Sequence, residues 1–222
     1  MNFKKIKTPT TGNSIVKAIM PPNQGWIEYK LKTQEMDYVW RCIENKKKYV
    51  KKNLAGNISA SYDLMDRGDW FWLNVIIPLL KRYTESFDTN LGVRVPIASR
   101  HPFYMDSWWV NYQKQNEFNP IHDHSGVYSF VIWMKIPYDG RKENQKDIAR
   151  HSNTPSIGDF QFTYSNMMGK SCIETYRLSP HYEGTMLFFP SQLPHQVYPF
   201  YDCDEERISV SGNIMSDTSR KF

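Results

Sequence analysis

The chain has 222 residues, 40% of them hydrophobic and 15% aromatic, enough to bury a sizeable core and too apolar for an intrinsically disordered chain. The formal net charge of +5 is mildly basic; it permits an anionic substrate or nucleic acid without demanding either, and nucleic acid is disfavoured as a partner because the sequence does not place its Lys and Trp together in one groove. Three cysteines, Cys42, Cys172 and Cys203, fit neither a zinc pattern nor a disulfide framework and read as free thiols of a reducing compartment. Met1 to Lys7 lacks the apolar core of a signal peptide and no apolar run approaches a membrane span, so a soluble, cytoplasmic protein without membrane contact is expected.

In chain order, residues 1–32 read as an irregular entry, with Gly25 to Leu31 alternating like a strand. Thr33 is an acceptable N-cap for a helix whose apolar positions Met36, Val39, Trp40, Ile43 and Val50 recur at helical spacing until Gly56. The run from Lys46 to Lys52 then falls on the wet face of that helix, a reading preferred to a phosphate-binding patch because the run carries one aromatic and no arginine. Tyr62 to Asp66 suggests a turn or short helix. A second long helix follows, with Trp72, Leu73, Ile76, Ile77, Leu80 and Tyr83 as its apolar stripe and Pro78 marking a kink or boundary.

From about residue 91 the texture becomes β-like. Short runs at Val93–Ile97, Tyr104–Gln113, Val127–Pro137, Asp159–Tyr164, Ile173–Leu178, Gly184–Pro190, Gln196–Phe200 and Arg207–Ile214 are punctuated by turns, which predicts a sandwich, jelly roll or barrel. Segment 139–157 is polar and flanked by Gly and Pro, as expected for a mobile surface insertion. Without repeats or a linker, the whole of 1–222 reads as a single domain, with helical support over about 1–90 and a β core over about 91–216.

The chemistry concentrates in Asn119-Pro120-Ile121-His122-Asp123-His124. In a strand, residues i and i+2 share a face, so His122 and His124 can chelate one metal with two imidazoles. His195, between the run ending at Pro190 and the strand starting near Val197, is the natural distant ligand, whereas His101, His151 and His181 sit in loop-like surroundings. One strand further, Arg207, Ser209, Ser211 and Asn213 alternate with Ile208 and Val210, so that this face lines a wet or ligand-filled cavity. Arg207 there is a fork for a carboxylate, helped by a serine hydroxyl. The competing reading makes Arg207 an exterior residue paired with Asp204 or Glu205.

Taken together, Leu54-Ala55-Gly56-Asn57-Ile58, Asn119 to Tyr128, Gly158-Asp159-Phe160, Gly184 to Ser191 with His195, and Arg207-Ile208-Ser209 ahead of Asn213 resemble the 2-oxoglutarate- and Fe(II)-dependent oxygenases, and within them the branch found in bacteria and in phages of marine bacteria. The resemblance covers most of residues 50–214. It implies an α+β, mainly β fold: a double-stranded β-helix, jelly-roll and cupin-like, braced by N-terminal helices. It further implies Fe(II) held by His122, His124 and His195, with Arg207 and Ser209 gripping the far carboxylate of 2-oxoglutarate. Asn119, Asn213, Tyr112, Tyr128 and Phe130 would neighbour the cosubstrate cavity; either tyrosine could instead be a core aromatic.

His124 stands where such sites commonly carry Asp or Glu. Asp123 could therefore replace it as ligand or act behind it, although His124 is preferred. The implied activity is hydroxylation of a peptidyl (prolyl-like) or small-molecule substrate with dioxygen, giving succinate and CO2, with homodimerisation left open. Two other readings are a non-catalytic metal-binding jelly-roll module and a three-histidine dioxygenase that does not use 2-oxoglutarate. Arg207 with Ser209 discriminates, since neither alternative has a use for an oxo-acid anchor.

Overall fold

A computed structural model describes residues 25–50, 54–87 and 101–220. The run expected at Val93–Ile97 and most of the N-terminal entry lie outside these residues. Among the described residues, ten strands form two antiparallel sheets: β1 (Ile27–Lys30), β2 (Ala60–Asp63), β3 (Phe103–Gln113), β5 (Tyr128–Lys135), β8 (Thr185–Pro190) and β10 (Arg207–Ser216) in one, and β4 (Asn119–His122), β6 (Phe160–Ser165), β7 (Ser171–Tyr176) and β9 (His195–Val197) in the other. The large sheet runs β1-β8-β5-β10-β3-β2 and the small one β4-β9-β6-β7. The chain is mainly β, as the spacing of its apolar runs implies.

The large sheet has two faces with different work to do. Trp108 and Val110 of β3, Tyr128, Phe130, Ile132 and Met134 of β5, and Val210 and Ile214 of β10 share one buried cluster with residues of α1 (Thr33–Glu44) and α2 (Ile77–Phe87). Phe71 stacks on Trp108 with ring centroids 5.1 Å apart, and Tyr83 meets the edge of Tyr128 at the same separation. Val131, Trp133, Leu187 and Phe189 point the other way, into a second cluster with Phe160, Phe162 and Val197 of the small sheet. Burying each such aromatic is worth roughly 1.5–3 kcal/mol, so successive residues of one strand anchor two different layers.

The helical part departs from expectation in three places. Helix α1 ends at Glu44, where the Asn45 side chain donates to the Arg41 carbonyl at 2.7 Å, and does not reach Gly56. Nothing at Lys46–Lys48 extends the apolar stripe, and Tyr49-Val50 favours extended backbone. Lys47 and Val50 accordingly donate to the carbonyls of Asp63 and Ser61, laying Lys47 and Lys48 along the β2 edge instead of on a helix face. Tyr62 and Asp63, expected in a turn or short helix over Tyr62 to Asp66, are instead drawn into the sheet as the end of β2 by pairing with Val110 and Trp109.

Upstream of α2, Trp72–Ile76 forms a π turn. Its i→i+5 bonding inserts one residue just before Pro78, which cannot donate to the helical ladder. The phase shift makes the buried stripe Phe71, Val75, Ile76, Leu79 and Tyr83, and leaves Leu73 and Ile77 exposed.

Segment 139–157 is tied down, contrary to its expected mobility. It opens with a short helix, α3 (Gly140–Glu143), and Glu143 and Asn144 are buried. Asn144 bonds the backbone of Gly140 and of Ile157 on both strands of the loop, and Glu143 accepts from the Tyr201 amide at 3.0 Å. At the end of the segment, Gly158 has φ +72°, and a Cβ there would lie 2.5 Å from the Tyr138 ring, so only glycine allows this close approach.

Asp159, next in the chain, is fully buried and faces Arg177 at 3.4 Å. Burial raises its carboxyl to about 6, with Arg177 pulling in the opposite direction. The unfolded chain holds this proton with a pKa of about 3.9. Its stabilising contribution, on the order of 3 kcal/mol, is therefore complete below about pH 4 and lost as pH rises through 6. Urea unfolding across pH 4 to 7 should record that fall in the parent protein and a flatter profile in Asp159→Asn; superimposable pH profiles would remove Asp159 as the cause.

Candidate metal centre

The pairing of β4 with β9 sets His122 directly opposite His195. His124 follows two residues later, just beyond β4, where its amide donates to the Ser191 carbonyl at 2.9 Å. Ring centroids are 4.3 Å apart for His122–His195 and 4.9 Å for His124–His195, and the Nε2 atoms of His124 and His195 approach to 3.1 Å. One ligand nitrogen from each of the three imidazoles falls within 4.8 Å of the others. Asp123 is exposed and stands outside this group, so the structure brings together His122, His124 and His195 and not the alternative set containing Asp123.

Backbone carbonyls fix which nitrogen of two rings is free. His122 Nδ1 lies 2.7 Å from the Pro120 carbonyl and His195 Nδ1 lies 3.0 Å from that of Leu193. A carbonyl can only accept, so each Nδ1 carries the proton and each Nε2 presents a lone pair inward. The rings are also held neutral. Burial lowers the pKa of His122; burial and then His122 lower that of His124 to about 4; burial, His122 and His124 push His195 well below the ordinary value. Neutral imidazoles with converging lone pairs repel one another unless a cation lies between them, and imidazole suits Fe, Zn, Cu and Ni. Two nitrogens about 2.1 Å from one ion and at right angles would stand about 3 Å apart, so the observed donor set fits a divalent metal.

The cluster sits in a cavity of about 550 Å³ between the sheets. Arg207, Ser209, Ser211 and Asn213 all line it, as their alternation on β10 implies. Arg207 is 3% exposed, and among the described residues no carboxylate lies within ion-pair distance of it. The exterior reading fails on the same residues: Glu205 pairs with Lys135, and Asp204 accepts from Gln115. Asn119 also lines the cavity; its Oδ1 is buried without a partner, and a Cβ at Gly56 would overlap it. Asn213 accepts from Ser129 at 2.9 Å and, beside His124 in the cavity, acts to raise that ring's pKa against the effect of burial.

Tyr112 and Tyr128, for which a place beside the cosubstrate or in the core was left open, do not line this cavity. Both belong to the helix-side cluster, Tyr112 edge-on to Tyr62 and Tyr128 stacked on Phe188, because their strand positions alternate with the cavity-facing ones. Phe130 does reach the cavity wall. On β3 the cavity is lined by Asp106, Ser107, Trp109, Asn111 and Gln113. Asn111 accepts from Ser61 at 2.7 Å, and Gln113 accepts from Arg207. Arg207 also donates to Tyr138 at 2.7 Å. These partners do not stand out from the motifs, although Asn111 and Gln113 are amides in an aromatic strand and share the parity of Trp109.

If the three imidazoles are the ligands, alanine at His122, His124 or His195 should cut Fe(II) retained after anaerobic gel filtration at least tenfold. Asp123→Ala should retain it, and so should His124→Asp, which restores a carboxylate. Loss of iron in Asp123→Ala with retention in His124→Ala would reverse the assignment.

Residues 107–213 match the family model described as "Putative 2OG-Fe(II) oxygenase". Among solved structures, a Pseudomonas putida prolyl-4-hydroxylase aligns with a TM-score of 0.51 at 14% identity, over 87% of this chain and 94% of that one. An oxidoreductase of the 2OG-Fe(II) oxygenase family from Burkholderia pseudomallei gives 0.54 at 12% identity, over 86% and 85%. SnoK, a non-heme α-ketoglutarate-dependent carbocyclase from nogalamycin biosynthesis, gives 0.52 at 9% identity, over 87% and 80%. At these identities the likeness is one of fold, the jelly roll. A search of curated proteins by sequence gave no significant match. The β core of this chain, residues 107–213, is thus similar in sequence to the putative 2OG-Fe(II) oxygenase model over just under half of the chain, and the fold is the one shared with these neighbours.

Proposed function

We propose that this protein hydroxylates a peptidyl, prolyl-like side chain or a small molecule, using Fe(II), dioxygen and 2-oxoglutarate and releasing succinate and CO2. The observation that carries the reading is the pairing, in one cavity, of three converging neutral imidazoles with a buried guanidinium that lacks a carboxylate partner. A metal-binding jelly-roll module, or a three-histidine dioxygenase without an oxo-acid, leaves that buried charge unexplained. An uncompensated buried cation is costly, and a dicarboxylate reaching from metal to arginine offsets the cost.

In this reading His122, His124 and His195 hold the iron, and the carbonyls of Pro120 and Leu193 keep two of the rings in the donor tautomer. Arg207 takes the far carboxylate of 2-oxoglutarate, with Ser209 as hydroxyl partner and Ser211 further along the same wall. Asn213 steadies His124, and Asn119 with Gly56 forms the wall beside the metal. Trp109, Trp133 and Phe189 keep the cavity apolar around the reacting centre, which limits water. Iron and 2-oxoglutarate, when bound, supply the oxidative decarboxylation and the hydroxylating power. The helices α1 and α2 brace the back of the large sheet, and 1–222 acts as one domain.

The prolyl-like option draws on the Pseudomonas putida neighbour, a prolyl-4-hydroxylase with the same fold. The small-molecule option draws on SnoK, named as a carbocyclase.

Anaerobically prepared Fe(II) protein, given oxygen, ascorbate and 2-oxoglutarate, should release succinate even without substrate. Arg207→Ala should raise the KM for 2-oxoglutarate at least tenfold, the loss of one charge-assisted pair. Absence of succinate from the parent protein, together with unchanged 2-oxoglutarate binding in Arg207→Ala, would sink the reading.

A further inference from the structure

Arg207 is held by two neutral groups. Its Nη1 donates to the Tyr138 hydroxyl at 2.7 Å and its Nη2 donates to Gln113 Oε1. Both partners are themselves fixed. The Gln113 amide nitrogen donates to the Glu117 carbonyl at 2.6 Å, which turns Oε1 toward the guanidinium. The Tyr138 hydroxyl donates to the Gly158 carbonyl at 2.6 Å, so only its lone pairs remain to accept from Arg207. The Tyr138 ring is clamped against Phe200, with centroids 4.6 Å apart. Gln113 and Tyr138 are buried, like Arg207 itself.

Two buried carboxylates that act on Tyr138 are already paired elsewhere. Glu143 pairs with Lys146 at 3.0 Å, and Asp159 faces Arg177. Two hydrogen bonds therefore orient the guanidinium while leaving its full charge for a ligand. A glutamate at position 113 would be nearly isosteric and would bind Arg207 more tightly, but it would cancel the charge.

We infer that Gln113 and Tyr138 are positioning residues whose neutrality keeps Arg207 competent to bind the cosubstrate carboxylate. The inference rests on the reading of Arg207 as the 2-oxoglutarate anchor. Stability and 2-oxoglutarate binding should then respond with opposite sign to a charge at position 113, which a merely structural role would not produce. Gln113→Glu should raise the thermal midpoint of the protein measured without 2-oxoglutarate, because it supplies the missing counter-charge. The same variant should weaken 2-oxoglutarate binding by about 10- to 100-fold, the range for one lost hydrogen bond to a charged group.

The test is calorimetric titration of anaerobic Fe(II)-loaded protein with 2-oxoglutarate, beside thermal melts without it. Tyr138→Phe keeps the ring on Phe200 but loses the hydroxyl, and should weaken binding about tenfold while lowering the midpoint. If the parent protein takes up no 2-oxoglutarate, the anchor reading fails and this inference falls with it. If the parent binds and Gln113→Glu binds equally well, the anchor reading survives and the inference alone is overturned. Should Gln113→Glu fail to fold, Tyr138→Phe decides: unchanged affinity overturns the inference, and tenfold weaker affinity supports it.

Discussion

The alternation of side chains along β3, β5 and β10 is the constraint on which the rest of the structure depends. These strands sit in the middle of the large sheet, so both faces are covered. One face must be apolar throughout, because helices pack on it. The other must be apolar where the small sheet covers it and polar where the cavity opens. Val210 and Ile214 meet the first demand on β10, while Arg207, Ser209, Ser211 and Asn213 meet the second. A one-residue slip of β10 against β3 would bury the serines against the helices and turn Val210 into the cavity. Register therefore fixes the fold and the site together, and the aromatic load of the helix-side cluster, with Trp108, Phe130 and Tyr128 in it, makes that slip costly.

Electrostatics follows from this geometry. Three uncharged imidazoles leave the charge of a bound divalent cation undiminished, and Arg207 adds another positive charge in the same cavity. A dianion bridging the two is favoured more strongly here than at a site where a carboxylate is one of the metal ligands. Asp123, outside the ligand group but close enough to raise the pKa of His122 and His124, is a negative counterweight, with Asp63 and Asp106 also on the cavity wall. Its place at the exposed side of the site lets it moderate the field without occupying a coordination position.

Much of this was legible in the sequence because period-2 alternation and the His122/His124 spacing are local signals. The β character of residues 103–216, the grouping of His122, His124 and His195, and the cavity-facing parity of Arg207 to Asn213 are of that kind. What was illegible depended on relations between strands. Tyr112 and Tyr128 lie close to the histidine motif along the chain, which suggests a place beside the cosubstrate, yet parity sends both to the helix side. Helix α1 stops where its apolar stripe fails to continue, and β2 exists because β3 offers an edge, which no window centred on Tyr62 could reveal. The π turn before Pro78 moved the stripe of the second helix by a residue, a change that a 3.6-residue period cannot represent.

The anchoring of segment 139–157 links these levels. A polar stretch flanked by Gly and Pro has the composition of a mobile loop, but buried Glu143 and Asn144 fasten it to Tyr201, Gly140 and Ile157. The fastening holds both ends in place: Tyr138 enters the segment and Gly158 leaves it, and the hydroxyl of the first bonds the carbonyl of the second. Arg207 leans on that closed loop through Tyr138. The rigidity of a surface insertion is thus transmitted to a guanidinium at the bottom of the cavity. Loosening the loop would be felt at Arg207 before it was felt at His122 and His195, whose Nδ1 atoms are held by the backbone of β4 and the turn before β9 instead.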